Sequence, residues 1–220
     1  MTRKLAIVVF FSLFTVVVEP TPVTFARKDT DSSRHATTTI EASLYNLADK
    51  LAELLGTVRD VIAINQLKIN TCSIDNHYDF KGITPATIGT QVGNYFNMST
   101  GIRIKQTSLR LRNPKNAPDS WESAALEMFE DPDYPVGSPY TEIVGLDEGE
   151  AYRFIKPIYI GKSCLRCHGE RKTIREDILE YLETHYPQDM TTGYNVGDLR
   201  GGISITIPIV EQGLSQPHLP

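Results

Sequence analysis

The segment GKSCLRCHGE, residues 161–170, constrains this chain more than any other. Cys164 and Cys167 stand three positions apart, and His168 follows directly. Two thiols this close along a backbone can each add across one vinyl group of a porphyrin, because the two vinyls sit on neighbouring pyrroles. The next residue is then held beneath the macrocycle, where an imidazole reaches the iron. C-x-x-C-H is the attachment signature of c-type haem. It predicts one covalently attached haem c, with Cys164 and Cys167 as thioethers and His168 as an axial ligand of the iron. A chain that carries it must wrap a large flat ring.

Other uses of the same residues fit less well. A thioredoxin-like dithiol opens a helix in a βαβ context, whereas the next helical pattern here begins near Thr173. Zinc needs four ligands. Cys72 would complete a Cys3His set, but His168 directly after Cys167 makes a joint tetrahedral grip awkward. A disulfide between Cys164 and Cys167 leaves His168 without a role.

The chain has 3 cysteines, so two thioethers leave Cys72 without a disulfide partner. A lone thiol in an exported protein needs a reason. It is a buried structural cysteine or the second axial ligand. From the residues alone His77, His185, Met98, Met128 and Met190 compete for that position, as does no ligand at all.

Export is read from the first residues. Arg3 and Lys4 precede an apolar run from Leu5 to Val18, and Thr24 and Ala26 have the spacing of a cleavage site. The run is shorter than the roughly 20 residues of a membrane span, so residues 1–26 read as a signal peptide. The mature protein is expected in the periplasm or the thylakoid lumen. A formal net charge of -5 argues against nucleic acid as a partner.

Residues 27–37 read as a flexible lead-in, 38–212 as one domain of the 220-residue chain, and 213–220 as a tail. Ile40, Leu44, Leu47, Leu51, Leu54, Val58 and Val61 follow a 4-3 spacing, one apolar stripe on a long helix. The stripe packs on the domain's own core or, its period being 3.5, forms the seam of a homodimer. Thr84 and Pro85 open a helix whose inner face is expected at Ile88, Val92, Tyr95 and Phe96. Residues 102–112 read as extended. Asp119 and Glu122 make a capping box for a helix carrying Trp121, Leu126 and Phe129. Residues 151–160 read as a strand running into the cysteine motif, with Pro157 at an edge or bulge. Thr173 and Glu176 are expected to cap a helix with Ile178, Leu179 and Leu182 inward. Ile203, Ile205, Ile207 and Ile209 alternate as a strand with one buried face. The order predicts an α+β domain with a mostly antiparallel sheet.

Three blocks carry a family resemblance: QTSLRLRNPKNAPDSWE (106–122), YRFIKPIYIGKSCLRCHG (152–169) and YPQDMTTGYNVGDLRGGISI (186–205). They resemble a bacterial and cyanobacterial family of c-type haem proteins related to the sensory-input domains of signalling receptors. The resemblance covers roughly residues 40–210. It implies a PAS-like antiparallel sheet with a long N-terminal helix and flanking helices. It also implies a cysteine as second axial ligand, and Cys72 in INTCSID fills that place. Residues 76–87 and an extra helix at about 173–184 depart from the pattern. Haem propionates want cationic partners, and Arg110, Arg112, Arg153 and Arg200 lie within the shared blocks. A surface charge or a backbone clamp is the plainer reading of each.

Histidine–thiolate ligation favours ferric iron and a low potential. With both axial positions filled, oxygen carriage and peroxidase chemistry are disfavoured, and no enzyme activity is expected. The reading is a redox or gas sensor. The alternative is a low-potential electron-transfer cytochrome, and a duller one is an interaction module stapled by its haem. No kinase, cyclase or methyl-accepting segment is present, so a sensor would act on an unknown signalling partner and a carrier on a redox partner.

Overall fold

Four antiparallel strands form one sheet: β1 (Arg103–Thr107), β2 (Tyr140–Leu146), β3 (Gly149–Tyr159) and β4 (Leu199–Ile209), in the order β1-β4-β3-β2. The structure is a computed structural model that describes residues 29–147 and 149–209. The signal peptide read at 1–26 and the tail at 213–220 lie outside the described residues. Contacts divide the chain after Thr37. Below that point only the helical backbone of residues 29–37 is described, and the packing that follows concerns residues 38–209. The fold is α+β, as the element order predicts.

Helix α1 runs Asp29–Ile64, so most of the stretch read as a flexible lead-in is helical. Its packing face is not centred on the predicted stripe. Ala48, Ala52 and Leu55 are buried against Phe154, Ile203 and Ile205 of the sheet, with Leu44 and Leu51 half-buried beside them. The small alanines let the helix sit close to the strands. Ile40, Leu47, Leu54 and Val61, one heptad apart, remain exposed.

A short helix α2 (Gln66–Asn70) and a turn closed by the Thr71–Tyr78 bridge lead to α3 (Pro85–Thr100). Thr84 caps α3 as expected, in a reciprocal box with Thr87. The buried positions are Gly89 and Gly93 rather than Val92 and Tyr95, which are exposed. A Cβ at Gly93 would collide with the Ile104 carbonyl, and one at Gly89 with the Gln106 amide. The helix therefore lies backbone-to-strand on β1, a contact only glycine allows.

Strand β4 is central. Its residues from Gly201 to Ile207 are all buried, where a single buried face was expected. One face packs on α1. The other is covered by α4 (Ser120–Phe129), through Ala125, Leu126, Phe129 and Ile155. Pro157 sits where β3 has outrun β2, whose last pair is Tyr140 with Ile155, so its missing N–H lies on a free edge. Helix α6 (Glu176–His185) buries Ile178 and Leu182 as expected, but Thr173 does not cap it. That hydroxyl donates back to the Glu170 carbonyl at 2.8 Å within a preceding 3-10 turn.

The α4 capping box is present, with Glu122 N–H donating to Asp119 and Asp119 N–H to Glu122. Asp119 also accepts from Arg153 at 2.8 Å. Burial alone would raise the Asp119 carboxyl, but the hydrogen bonds from Arg153 and the Glu122 amide hold it below the usual aspartate range. Asp119→Ala is expected to lower stability by about 1–3 kcal/mol, from the lost cap and from a buried guanidinium deprived of a partner. Because the folded carboxyl titrates below the unfolded one, its contribution is present above about pH 4 and lost as pH falls through the folded value. Urea unfolding of both proteins at pH 7 and pH 3 checks this, and the gap between them must shrink in acid.

Candidate functional site

The cysteine motif folds as a tight 3-10 turn (Lys162–Cys164) running into a one-turn helix, α5 (Leu165–His168). This i, i+3 spacing puts Cys164 and Cys167 on one side of the turn. Gly169 ends the helix with its missing Cβ facing the Leu165 carbonyl at 2.7 Å, so a larger residue there would push the motif apart. The loop after α6 is pinned alongside: Tyr194 N–H donates to His168 O at 2.9 Å and Gly193 N–H to Gly169 O at 2.8 Å.

Cys164, Cys167 and His168 all line one cavity of about 820 Å³. Its walls come from α1, the segment Tyr78–Thr90, the end of β3 and helix α6. A cavity of this size and mostly apolar lining is what a large organic cofactor requires.

His168 is held in one orientation. Its Nδ1 lies 2.8 Å from the Thr191 carbonyl. A carbonyl only accepts, so Nδ1 carries the proton and Nε2 keeps its lone pair. Burial, with Arg112 and Arg200 adding to it, pushes the imidazole pKa down to about 3, so the ring is neutral. Thr191 is fully buried, and its N–H and hydroxyl both donate to one Asp189 oxygen. The other Asp189 oxygen accepts from Arg112 at 3.0 Å. Arg112 closes the ring by donating to the Cys167 carbonyl at 2.6 Å. Arg112, Asp189 and Thr191 thus form one circuit that fixes both a cysteine and the histidine of the motif. Burial raises the Cys167 thiol, against the pull of Arg112 and Arg166, and keeps it protonated.

The four arginines singled out in the sequence separate. Arg112 and Arg200 line the cavity; Arg110 and Arg153 do not. Arg110 donates to the Met190 and Thr192 carbonyls and lies over Tyr194, clamping the last loop. Arg153 is buried on the α4 face with Asp119, Glu122 and Trp121. Both are tied up by partners distant in sequence, which the sequence does not reveal.

Cys72 is half-buried in the turn after α2 and is not on the cavity wall. Its N–H donates to the His77 carbonyl at 2.7 Å, and its thiol faces Asp75 across the turn. His77, His185, Met98, Met128 and Met190 do not line the cavity either. No three Cys, His, Asp or Glu side chains among the described residues stand close enough to hold a metal ion, so the zinc arrangement is not assembled there. None of the described helices is long and apolar enough to cross a membrane.

Sequence reasoning missed Asp189 and Thr191, whose roles depend on a loop folding back on the motif. It also missed Arg59, which reaches the cavity from α1. Burial and then the neighbouring Arg200 lower its pKa to about 10.

No curated protein matches the chain. Among solved structures, the crystal structure of the cyanobacterial heme-protein Tll0287 superposes with a TM-score of 0.56 at 21% identity, over 75% of this chain and 96% of that one. The two share a fold. The Tll0287-like family model matches residues 31–208, which contain the sheet up to Pro208, the cysteine motif and its clamp, and the chain belongs to that family.

Proposed function

We propose that this chain is an exported c-type haem protein that works as a redox or gas sensor rather than an enzyme. The carrying observation is the convergence of Cys164, Cys167 and an oriented, neutral His168 on one large cavity. Cys164 and Cys167 hold the ring, and His168 offers Nε2 to its iron. Membership in a family with a structural relative described as a heme-protein supports the same reading. Such a haem supplies a low-potential one-electron centre. The test is extraction in acidified acetone and intact mass. The haem must stay on the polypeptide and add the mass of one haem; free release, or a zinc-loaded protein, overturns the reading.

For the second axial position the proposal keeps Cys72. Its rivals His77, His185, Met98, Met128 and Met190 are, like Cys72 itself, off the cavity wall, so none displaces it. The turn bearing Cys72 also runs directly into Tyr78, Phe80 and Gly82, which do line it. The four-stranded sheet with its long first helix is read as PAS-like. A sensor requires the sulfur to leave on reduction, whereas a low-potential electron carrier requires it to stay. Carbon monoxide added to reduced protein separates them, since rapid binding fits only the sensor. Export is checked by N-terminal sequencing of the mature protein, expected to begin near Arg27.

The proposal also includes a homodimer through α1. Every side chain from residue 38 to 47 except Leu44 is exposed. A helical stretch held to the core only through Leu44 and the edge of Tyr45 gains little from packing, and exposed helix of that kind is marginal in water. Ile40, Leu47, Leu54 and Val61 recur every seven residues along it, the repeat that a second copy of the same helix packs against. Light scattering should give twice the chain mass, and Leu47→Glu with Leu54→Glu should halve it. A wild-type monomer at every accessible concentration defeats the dimer.

A further inference from the structure

One face of α1 borders the cavity with Ala52, Gly56, Arg59 and Ala63. The spacing 4-3-4 puts them in a single line along the helix. Three of the four are small. Gly56 is the informative one. A glycine inside a helix costs about 1 kcal/mol relative to alanine, and a tight protein contact usually accounts for it. Here nothing lies within 4 Å of the Cβ that Gly56 lacks. The room above it is the cavity itself, so the helix at Gly56, one turn beyond the sheet-packed Ala52, is cleared for something other than protein.

The charges on the wall point to what that something carries. The chain as a whole is acidic, at -5, yet six cationic and two acidic side chains line this cavity. Three of the cations have carboxylate partners: Lys156 with Asp49 and Glu53, Arg175 with Asp177, and Arg112 with Asp189. Arg166 is exposed. Arg59 and Arg200 are partly buried and form no ion pair with any described residue. Arg200 donates through Nη1 to Ser108 Oγ at 2.7 Å and to the Arg110 carbonyl at 3.2 Å. Arg59 makes no hydrogen bond to the described protein at all. Two partly buried guanidiniums on one cavity repel each other; Asp60 and Asp189 offset this only through space, and a desolvated cation without an ion-pair partner is unfavourable.

We propose that the Ala52–Gly56–Arg59–Ala63 face of α1 seats a flat, carboxylate-bearing ring, and that Arg59 with Arg200 binds one of its carboxylates. This rests on the haem reading, for which the carboxylate is a propionate. The small residues admit the plane of the ring, and the paired guanidiniums set which edge points inward. Arg59 then ties the ring to α1 independently of the thioether bonds.

The test uses the full chain produced without haem and titrated with iron mesoporphyrin, whose ethyl groups cannot form thioethers. Its dimethyl ester has the same ring without the carboxylates. The diacid should bind at least about tenfold more tightly than the diester, an affinity gap of about 1.4 kcal/mol or more. Arg59→Gln should erase that preference and Arg59→Lys should restore part of it. Equal binding of diacid and diester to the wild-type chain overturns the clamp and leaves the haem reading intact. Binding of neither ring to a chain folded by circular dichroism defeats both. If the haem-free chain does not fold, the same variants are compared as covalent holoprotein. Loss of the Arg59 cation should then lower the midpoint potential, and an unchanged potential overturns the proposal.

Discussion

Replacement of both Cys164 and Cys167 by alanine should abolish covalent haem. Acidified acetone should then strip all colour from the polypeptide, and the mass should equal that of the bare chain. Each single variant should keep one thioether or fail to mature. The two positions are not equivalent in the fold. Cys167 packs against the Phe80, Ile178 and Leu182 cluster, whereas Cys164 sits on the turn with its sulfur 3.4 Å from the Gly161 amide. Cys167→Ala therefore loses packing as well as a bond, at a cost of about 1 kcal/mol for the buried volume removed. His168→Ala is the contrasting control. It should keep both thioethers, and with them the mass of one haem, while the spectrum loses its imidazole ligand. Loss of the covalent haem in His168→Ala alone would mean that attachment depends on ligation, and would break this division of roles.

Cys72→Ala is expected to produce the second large change. If the sulfur is the sixth ligand, the oxidised wild type is low-spin and has a sulfur-to-iron charge-transfer band. The variant should lose the band and gain an open position. Its potential should rise, because an anionic ligand that favoured ferric iron is gone. Cyanide should bind at least about tenfold faster than to the wild type, since no ligand has to leave first. Cys72→Ala should be mild for the fold, because Cys72 lies in a turn whose bridge, between Thr71 and Tyr78, is made by backbone groups. An unchanged spectrum would make Cys72 a structural thiol. The same turn would then point to His77 as the next variant.

These two experiments address different physical questions. Covalent attachment would depend on local spacing, and the motif's own turn supplies it. Ligation by Cys72 would depend on where a separate turn sits relative to the cavity. The clamp of Arg112, Asp189 and Thr191 belongs to the second kind. It joins residues from three distant stretches of chain, and it acts only because the loop after α6 folds back on α5.

Features governed by a few neighbouring residues were legible in the sequence. The cysteine pair and its histidine are one such feature. The caps at Thr84 and Asp119 are others, since each needs only a side chain and an amide three residues away. The inward pair Ile178 and Leu182 and the antiparallel α+β class followed from periodicity. Thr173 failed as a cap because its hydroxyl had a nearer acceptor in the Glu170 carbonyl.

Only the tertiary structure decided which groups meet across the chain. The inner face of α3 turned out to be glycine because β1 approaches its backbone closely. Strand β4 is buried on both faces because it is central, with α1 on one side and α4 on the other. Arg110 and Arg153 left the candidate set because carbonyls and carboxylates from distant segments hold them. Arg59 entered it because α1 turns that side chain, with Gly56, toward the cavity. Local geometry is encoded within a turn or two of sequence. The partner of a long cationic side chain depends on register and packing set many residues away, and no spacing rule reaches that far.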